Sequence, residues 1–583
     1  MKKTILLLTL IWLGLQGWCQ PFRVGHIYYQ VISEDQATCE VFDDFNKYEP
    51  DSADAIYVIP ATVSNGKKTY TVVRVGKEAF YQNQHLLGIV LPGTVTSIGE
   101  WAFAETPLGS IVMPDSLTTI GSHALYACKR LKKIDLPATL TTIGEMALAA
   151  SSLTSLVVPE SATTIGAAAF SNLDSLTSVQ LPSRLTTIPT RLFFGCGSLL
   201  TLTLPESVTS IGDEAFLLCK GLTTITIPEG VNALGKGLFR YCYSLTQFTL
   251  PSHLTALPDE CFSGCKSLSV VTLPEQMTSI GTGGFDGCTS LRAINWPGGF
   301  TTIGKRAFKS CEFQSFSLPG TLTTIDEDAF LGCQQLRSIT IPRSVTAMGQ
   351  YAFSNCLSLE SVDLTPSLTH IPYGAFFFDD SLKHVAVPQG VKSIDNAAFA
   401  YCHSLQSVSL PSSLVSIGES AFAESRPAEC TFACADTLAA KVTQDSIMKI
   451  TLSPEITSFT AYAFSKSYYL KQIVSKAAVP PTLTAGTFTD AQKQWVQLLV
   501  PQGVIDRYQA APVWRDLLKV RGVTASPDID ANGIINVADV TALVTAALGS
   551  GLPDLTITDL NADGEVNVAD VTALISAILA AAQ

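Results

Sequence analysis

A short pattern returns about every 23 residues through most of the chain, and it constrains the fold more than any other feature. Each copy reads L-P-x-x-[VL]-T-x-I-G-x-x-A-F-x-x-C-x-x-L-x-x-[IV]-x. A fixed period of this length predicts a solenoid, because one copy buries little apolar surface alone and must stack on its neighbours. Stacked copies offer long exposed surfaces rather than one enclosed pocket, which favours binding. The proline slot is filled by Pro92, Pro114, Pro137, Pro159, Pro182, Pro205, Pro228, Pro251, Pro274, Pro297, Pro319, Pro342, Thr365, Pro388 and Pro411.

The residues before each proline predict a short strand with one buried face. In the copy at 222–228, Ile225 and Ile227 point to one side while Thr224 and Thr226 point to the other. This alternation has the period of two that a half-buried strand requires. The proline then ends the strand because it cannot donate the next ladder hydrogen bond. The predicted fold class is therefore a β-rich solenoid with short parallel strands.

The residues after each proline predict a second strand and an apolar plug. In one copy, 208–211 forms the second strand and Gly212 permits a tight turn. Ala215 and Phe216 follow and are predicted to fill the interior. Stacking of such copies makes one continuous core out of small contributions.

Cysteines favour the same interior. Ten of the 15 fall fourteen residues after the proline slot, where other copies have Thr106, Ser151, Leu173 or Asp379. A slot shared by such residues is small and internal, and a thiol packs well there. Buried thiols are favoured over disulfide bridges, while Cys430 and Cys434 lie outside the register and could pair. The ten are Cys128, Cys196, Cys219, Cys242, Cys265, Cys288, Cys311, Cys333, Cys356 and Cys402.

The outward positions of the predicted strands are the candidate ligand surface. They lie two and four residues before each proline slot and are mostly Thr and Ser. Threonine suits any exposed strand, so this row can be strand chemistry alone. The alternative is a flat, hydroxyl-lined platform for a protein or a glycan. The candidate ligand-binding residues are Thr203, Thr226, Thr249, Thr272 and Thr340.

The N-terminus predicts export. Residues 1–19 have two lysines, an apolar run and small residues near Cys19, as a secretory signal peptide does. Cys19 could instead be a lipidated cysteine. No other stretch approaches the ~20 apolar residues of a membrane helix. The formal net charge of −13 argues against nucleic acid as a partner.

The repeat resembles the BspA-type bacterial leucine-rich repeat. The predicted segments are an N-terminal cap at 20–68, the solenoid at 69–475 and a closing cap at 476–522. The closing segment, with Pro480, Tyr508 and Trp514, is similar to the end of such proteins. The resemblance implies a protein at a bacterial cell surface or outside the cell that binds a macromolecule, often in adhesion.

The last segment, 523–583, contains two copies of an oxygen-rich loop. Each has Asp, Asn or Glu side chains at loop positions that calcium uses, with a glycine at position 6. A predicted helix follows each loop, with Val540 and Leu543 on one apolar face and Val571 and Leu574 on the other. The segment therefore predicts two Ca²⁺ ions. The candidate ligands are Asp528, Asp530, Asn532, Ile534 (carbonyl), Asn536, Asp539, Asp559, Asn561, Asp563, Glu565, Asn567 and Asp570.

This duplicated loop and helix resembles a type I dockerin. The resemblance implies a small α-helical domain that docks on a cohesin-like partner and anchors its cargo to a scaffold. The residues at loop positions 10 and 11 would contact that partner. Cellulosomal dockerins often have hydroxyl residues there, and this chain does not. The positions are Val537, Ala538, Val568 and Ala569.

The sequence has no motif of a catalytic centre, and its seven histidines are scattered. We therefore expect no enzyme. The predicted protein is a secreted, non-catalytic and adhesin-like binding protein, with a solenoid for recognition and a calcium-dependent module for anchoring. The alternative is a structural or polysaccharide-capture subunit of an extracellular, cellulosome-like complex.

Overall fold

The β-branched residues before each proline form the predicted strand, since their side chains suit a pleated backbone. In Thr224–Thr226 the central Ile225 is buried and both threonines are exposed. The strands Thr201–Thr203 and Ser338–Thr340 have the same order of burial. One face of this strand, called here the outer strand, therefore packs on the core while the other contacts solvent.

The second strand of each turn has two residues rather than the predicted four. Ser210–Ile211 is an example, with Ile211 buried. The strand is short because the backbone before it is still turning: the amide of Val208 donates to the carbonyl of Pro205 at 3.1 Å. The two strands of a turn lie on different sides of the core.

The computed structural model contains two compact units, Met1–Gly299 and Phe300–Gln583. No helix among the described residues is long and apolar enough to cross a membrane. The described residues are 21–42, 55–439, 441–442, 446–460 and 463–523, then 540–541, 543–544, 559–560, 562, 566 and 568–581.

Outer strands of successive turns pair in parallel, residue on residue. In the first unit Thr201 pairs with Thr224, and Thr203 pairs with Thr226. Five outer strands form one sheet there, and second strands form separate sheets beside them. In the second unit one sheet has nine parallel strands, from Ser338–Thr340 to Lys519–Val523. The predicted class of short parallel strands in a solenoid is confirmed.

The strands of the first unit are Phe22–Val24, Ile27–Ser33, Thr38–Phe42, Ala55–Val58, Thr62–Ser64, Thr69–Val75, Leu86–Val90, Ser97–Ile98, Ser110–Val112, Thr119–Ile120, Thr142–Ile143, Ser155–Val157, Thr164–Ile165, Ser178–Gln180, Thr187–Ile188, Thr201–Thr203, Ser210–Ile211, Thr224–Thr226, Ala233–Leu234, Gln247–Thr249, Ala256–Leu257, Val270–Thr272, Ser279–Ile280 and Ala293–Asn295.

The strands of the second unit are Thr302–Ile303, Thr324–Ile325, Ser338–Thr340, Ala347–Met348, Ser361–Asp363, His370–Ile371, His384–Ala386, Ser393–Ile394, Ser407–Leu410, Ser416–Ile417, Glu429–Phe432, Lys449–Leu452, Gln472–Ser475, Gln497–Pro501 and Lys519–Val523. Its α-helices are Asp436–Ala439, Asp490–Trp495, Ile505–Ala510 and Val568–Ala581, and its 3₁₀ turns are Gln502–Val504 and Trp514–Asp516.

Gly212 is required for a different reason than the predicted tight turn. A Cβ atom on Gly212 would lie 2.5 Å from the backbone nitrogen of Thr190 in the preceding turn, and its φ is not in the left-handed region. The left-handed residues are Glu214, with φ 55°, and Leu218, with φ 62°. The glycine therefore permits close stacking of neighbouring turns, and the sharp bends occur at the residues that follow it.

The residues from seven to fourteen after each proline slot form what we call the turn segment. Its alternate amides donate to the next turn: Glu214 donates to the carbonyl of Lys236 at 2.8 Å, and Leu218 donates to that of Arg240 at 2.9 Å. Bends therefore satisfy their backbone groups between turns, much as strands do. The exposed side chains of these segments form the turn face.

Phenylalanines at one position stack along each unit, as predicted for Phe216. Its ring lies 5.8 Å from that of Phe193 and 5.4 Å from that of Phe239, nearly parallel to both. In the second unit Phe376 and Phe399 stack at 5.3 Å. We call this row the phenylalanine column. Because each ring packs on rings of two other turns, no turn has a complete core alone.

The two ends of the described repeat region differ from its middle. Strands Ile27–Ser33 and Thr38–Phe42, in the predicted N-terminal cap, pair antiparallel, and Thr38–Phe42 then pairs in parallel with Thr69–Val75. In the predicted closing segment, Gln497–Pro501 and Lys519–Val523 extend the parallel sheet. Trp514 is buried there, and its ring nitrogen donates to the carbonyl of Pro481 at 2.7 Å.

Candidate functional site

Four of the five candidate threonines form one straight row in the first unit. Thr203 pairs with Thr226, Thr226 with Thr249, and Thr249 with Thr272, each in parallel register. All four side chains are exposed. Neighbouring strands are spaced ~4.8 Å apart, so the hydroxyl groups repeat at that interval. We call this arrangement the threonine row.

The fifth candidate, Thr340, belongs to the second unit and has a different neighbour. It pairs with Asp363, and its hydroxyl donates to the Asp363 carboxylate at 2.9 Å. The hydroxyl of Thr340 is therefore engaged within its own sheet. The predicted set of five is one row of four together with a separate residue.

The outer strands also expose apolar residues that the sequence reading did not single out. Ile56 and Val58 are each 68% exposed, Val112 is 55% exposed and Val157 is 58% exposed. Val112 and Val157 occupy the position two residues before the proline slot, where other turns have threonine. The replacement of threonine by valine at that position is the signal that could have revealed them.

A second feature missed from the sequence is a set of aromatic residues on the turn face. Phe378 and Tyr401, thirteen residues after their slots, stack at 4.6 Å with nearly parallel rings. Tyr351 and Tyr373 are in contact at 5.2 Å. Trp101 stacks on His123 at 4.1 Å in the first unit. The periodic pattern masks these residues, because it assigns no fixed type to their positions.

The predicted thiol slot is buried and chemically quiet. The sulfur of Cys219 donates to the carbonyl of Phe193 at 3.1 Å, and Cys242 donates to that of Phe216 at 3.2 Å. Burial raises the pKa of the Cys196 thiol to about 12, so it stays protonated and unreactive. The fourteen described cysteines are thiols, Cys430 included, so the pairing that the sequence left open does not occur.

Asp379 is the exception in this slot. Its side chain is fully buried, one oxygen accepts from the amide of Cys356 at 2.8 Å, and the other has no hydrogen-bond partner within the described part of the chain. Burial is the main cause that raises the pKa of this carboxyl well above its usual range. The carboxyl is therefore held in its neutral form, and it serves as a strained packing residue.

The second predicted calcium loop is described at its two ends. Asp559 and Asp570, its first and last positions, are both buried. The amide of Leu560 donates to the Asp570 carboxylate at 2.7 Å, which holds the ends together. The remaining candidate ligands lie outside the described residues: Asp528, Asp530, Asn532, Ile534, Asn536, Asp539, Asn561, Asp563, Glu565 and Asn567.

The helix predicted after this loop is present as Val568–Ala581. It begins at Val568, two residues before the loop ends. Ala569 is exposed, Leu574 is buried and Ile575 is 44% exposed. Residues 540–541 and 543–544 are also helical, with Leu543 buried. The other predicted partner contacts, Val537 and Ala538, lie outside the described residues.

Parallel outer strands, stacked phenylalanines and bends every 22 or 23 residues define a leucine-rich-repeat solenoid. A sequence profile described as "BspA type Leucine rich repeat region" matches the chain in six copies. These copies together extend from residue 73 to residue 491, so the chain belongs to this family. The matched ranges are 73–199, 147–269, 186–314, 255–381, 301–429 and 369–491.

Solved structures support the same fold. A leucine-rich repeat protein from Bacteroides ovatus is 28% identical with a TM-score of 0.55, over 67% of this chain and 95% of that one. A leucine rich cell surface protein from Faecalibacterium prausnitzii is 25% identical with a TM-score of 0.35, over 73% and 97%. A leucine-rich repeat protein from Eubacterium ventriosum is 21% identical with a TM-score of 0.39, over 59% and 95%. No curated protein sequence matches this chain.

Proposed function

We propose that this is a secreted, non-catalytic binding protein that recognises an extracellular protein or glycan through its solenoid. The observation that carries the proposal is the threonine row, a flat exposed surface with hydroxyl groups at a regular spacing. Extended peptides and glycans both present hydrogen-bonding groups at short intervals, so a rigid row can meet several of them together. The leader-like residues 1–19 support export to the cell surface or the medium.

The second part of the proposal is a calcium-dependent dockerin-like module at 523–583. Two buried carboxylates, Asp559 and Asp570, lie at the ends of one oxygen-rich loop, in a segment without any basic residue after Arg521. Burying negative charge is costly unless a cation compensates it, and oxygen ligands of this kind suit Ca²⁺. Ordered loops would hold the helix Val568–Ala581 against a docking partner, with Val568 and Ala569 beside the metal.

A structural or polysaccharide-capture subunit of a multiprotein complex is the second candidate function. It gives the main role to the docking module and a supporting role to the repeats. The observation that favours it is the resemblance of the tail to dockerins, whose partners are cohesin modules on scaffolds. Binding of the full chain to a purified cohesin, lost on chelation of calcium, would support this candidate.

The threonine row can be tested on arrays of extracellular matrix proteins and of bacterial and plant glycans. The full chain should bind at least one target, and Thr226→Lys with Thr249→Lys should weaken that binding about tenfold or more, since two long charged side chains would stand on the platform. The matched control is Thr209→Lys with Asn232→Lys. It adds the same charge to exposed second-strand positions of the same two turns.

The result that contradicts the proposal is the reverse pattern. If the substitutions in the threonine row leave target binding unchanged while those at Thr209 and Asn232 abolish it, recognition occurs on the second strands. The threonine row would then be strand chemistry only.

A further inference from the structure

The second unit has five aromatic side chains in mutual contact on its turn face. Phe377 contacts Tyr351 at 6.3 Å, Phe378 at 4.7 Å and Tyr401 at 5.5 Å, measured between ring centres. Tyr373 contacts Tyr351. Tyr373 is 38% exposed and Phe378 is 39% exposed. These five residues, called the aromatic patch, place apolar surface in water, which in soluble proteins often marks an interaction site.

The aromatic patch does little for the fold and carries a backbone cost. Phe378 has φ 62° and Tyr401 has φ 60°, in the left-handed region that a bulky side chain enters only with strain of about 1 kcal/mol or more. Five other turns have glycine or asparagine at this position, which enter it more easily: Gly195, Gly264, Gly287, Gly332 and Asn355. Half-exposed aromatic residues at a strained position favour a functional origin over a structural one.

The same position in the first unit shows what chemistry such a ring attracts. Tyr241 is also thirteen residues after its slot, and the guanidinium of Arg240 lies 5.0 Å from the centre of its ring. The ammonium of Lys266 lies 5.4 Å from the ring of the neighbouring Tyr243. The chain therefore covers this aromatic pair with its own cations. Cations over ring faces are attracted by the negative potential of the π system.

No lysine or arginine covers the aromatic patch in the same way among the residues that the structure describes. Its edge is acidic instead. Asp380, half-exposed, contacts the ring of His403 at 2.6 Å, and His403 lies beside Tyr401. Glu424 occupies the position of Tyr401 in the next turn. Aromatic rings with carboxylates at their edge are complementary to a positively charged partner.

We propose that the aromatic patch binds a basic segment of a partner protein, whose arginine or lysine side chains lie on the rings with Asp380 as their counter-charge. This inference rests on the proposed function, because it keeps recognition on the solenoid, but it assigns a separate site and a ligand class. Arginine fits best, since its guanidinium is planar, weakly hydrated and able to stack on a ring while donating to a carboxylate.

The test uses the full chain and a fluorescein-labelled deca-arginine peptide, with deca-lysine and deca-glutamine as comparisons, in fluorescence anisotropy at physiological salt. The variant is Phe378→Asn with Tyr401→Asn. It leaves the net charge unchanged, and asparagine already occupies the equivalent position as Asn355. General attraction of a cationic peptide to an acidic protein is therefore the same in both proteins.

We expect the double variant to bind deca-arginine about tenfold more weakly than the parent chain, and Asp380→Asn to bind it about threefold more weakly. Deca-lysine should bind the parent more weakly than deca-arginine, and deca-glutamine should not bind. Tyr241→Asn is the matched control, because Arg240 already covers that ring. This control should leave the affinity unchanged.

An unchanged affinity in the double variant, or no binding by the parent, overturns the proposal. So does a lower melting temperature of the double variant, which would make the rings structural, or a loss of self-association, which would make the occupant a second copy. Binding of neutral laminarin that depends on Phe378 would make it a glycan surface. The pair Thr226→Val with Thr249→Val should leave deca-arginine binding intact. A loss there instead would overturn this proposal while leaving the threonine row in place.

Discussion

The repeat turns and the C-terminal loops differ in what holds their backbones in place. In the repeats, each phenylalanine packs on the rings of two other turns, and bends such as Glu214 donate to the next turn. In the tail, the described end of one loop brings two buried carboxylates together in a segment with no basic residue after Arg521. Apolar contact supplies the first region with stability, while the second needs positive charge. The two regions should therefore respond to different perturbations.

The largest expected effect is the loss of order in the tail when calcium is removed. Asp528→Ala with Asp559→Ala should abolish calcium binding, because each substitution removes the first ligand of a loop. Calorimetry should give two ions per parent chain and none for the variant, and circular dichroism should show helix gained with calcium only in the parent. A stoichiometry near zero for the parent, or unchanged helicity, would refute the calcium module.

A cavity in the phenylalanine column should have the next largest effect. Phe216→Ala should lower the free energy of unfolding of the repeats by about 3–5 kcal/mol, since the ring is fully buried between Phe193 and Phe239. Denaturant unfolding measures this, with the exposed Thr226→Ala as the control, which should change it by less than about 0.5 kcal/mol. Calcium affinity of the tail should stay the same. If Phe216→Ala weakens calcium binding strongly, the two regions share a core and the predicted boundary near residue 523 is wrong.

The repeat interior could be predicted from the sequence because each interior position recurs. The roles of Ile225, Phe216 and Cys219 follow from period and residue type alone, and the structure confirms their burial. The role of Gly212 was misread, since close approach to Thr190 depends on stacking distance, which a single copy does not contain. The aromatic patch was missed for a similar reason. Its residues come from three turns, and only the stacking of those turns brings them together.

The threonine row was only partly predictable. Alternation along one strand correctly placed Thr203 and Thr226 on the exposed face. It could not show that Thr340 donates to Asp363, because that contact depends on the side chain in the next turn. A pattern that gives the average turn does not show where neighbouring turns differ.

Asp379 should have a smaller effect that depends on pH. Its pKa is raised in the folded protein by burial, so the unfolded chain gives up the proton first, near pH 4. The stability of the repeats is therefore greatest below about pH 4 and falls as the pH rises towards the raised pKa. Asp379→Asn keeps an acceptor for the Cys356 amide and cannot ionise. It should raise the free energy of unfolding at pH 7 by about 1–3 kcal/mol.

The comparison of pH values is the control for this substitution. The gain from Asp379→Asn should shrink as the pH falls and vanish below about pH 4, where the carboxyl is neutral in both states. The exposed neighbour Asp380→Asn should change stability little at any of these values. A gain that is equal at pH 3.5 and pH 7 would show that ionisation is not its cause.

Thermal unfolding of the full chain, with calcium and with a chelator, tests most directly whether two differently stabilised regions are joined in one protein. We predict two transitions in differential scanning calorimetry. The smaller one, from the tail, should appear with calcium and disappear with the chelator, while the larger one, from the repeats, should keep its midpoint. A single transition that moves as a whole with calcium, or two transitions that both ignore it, would contradict the account.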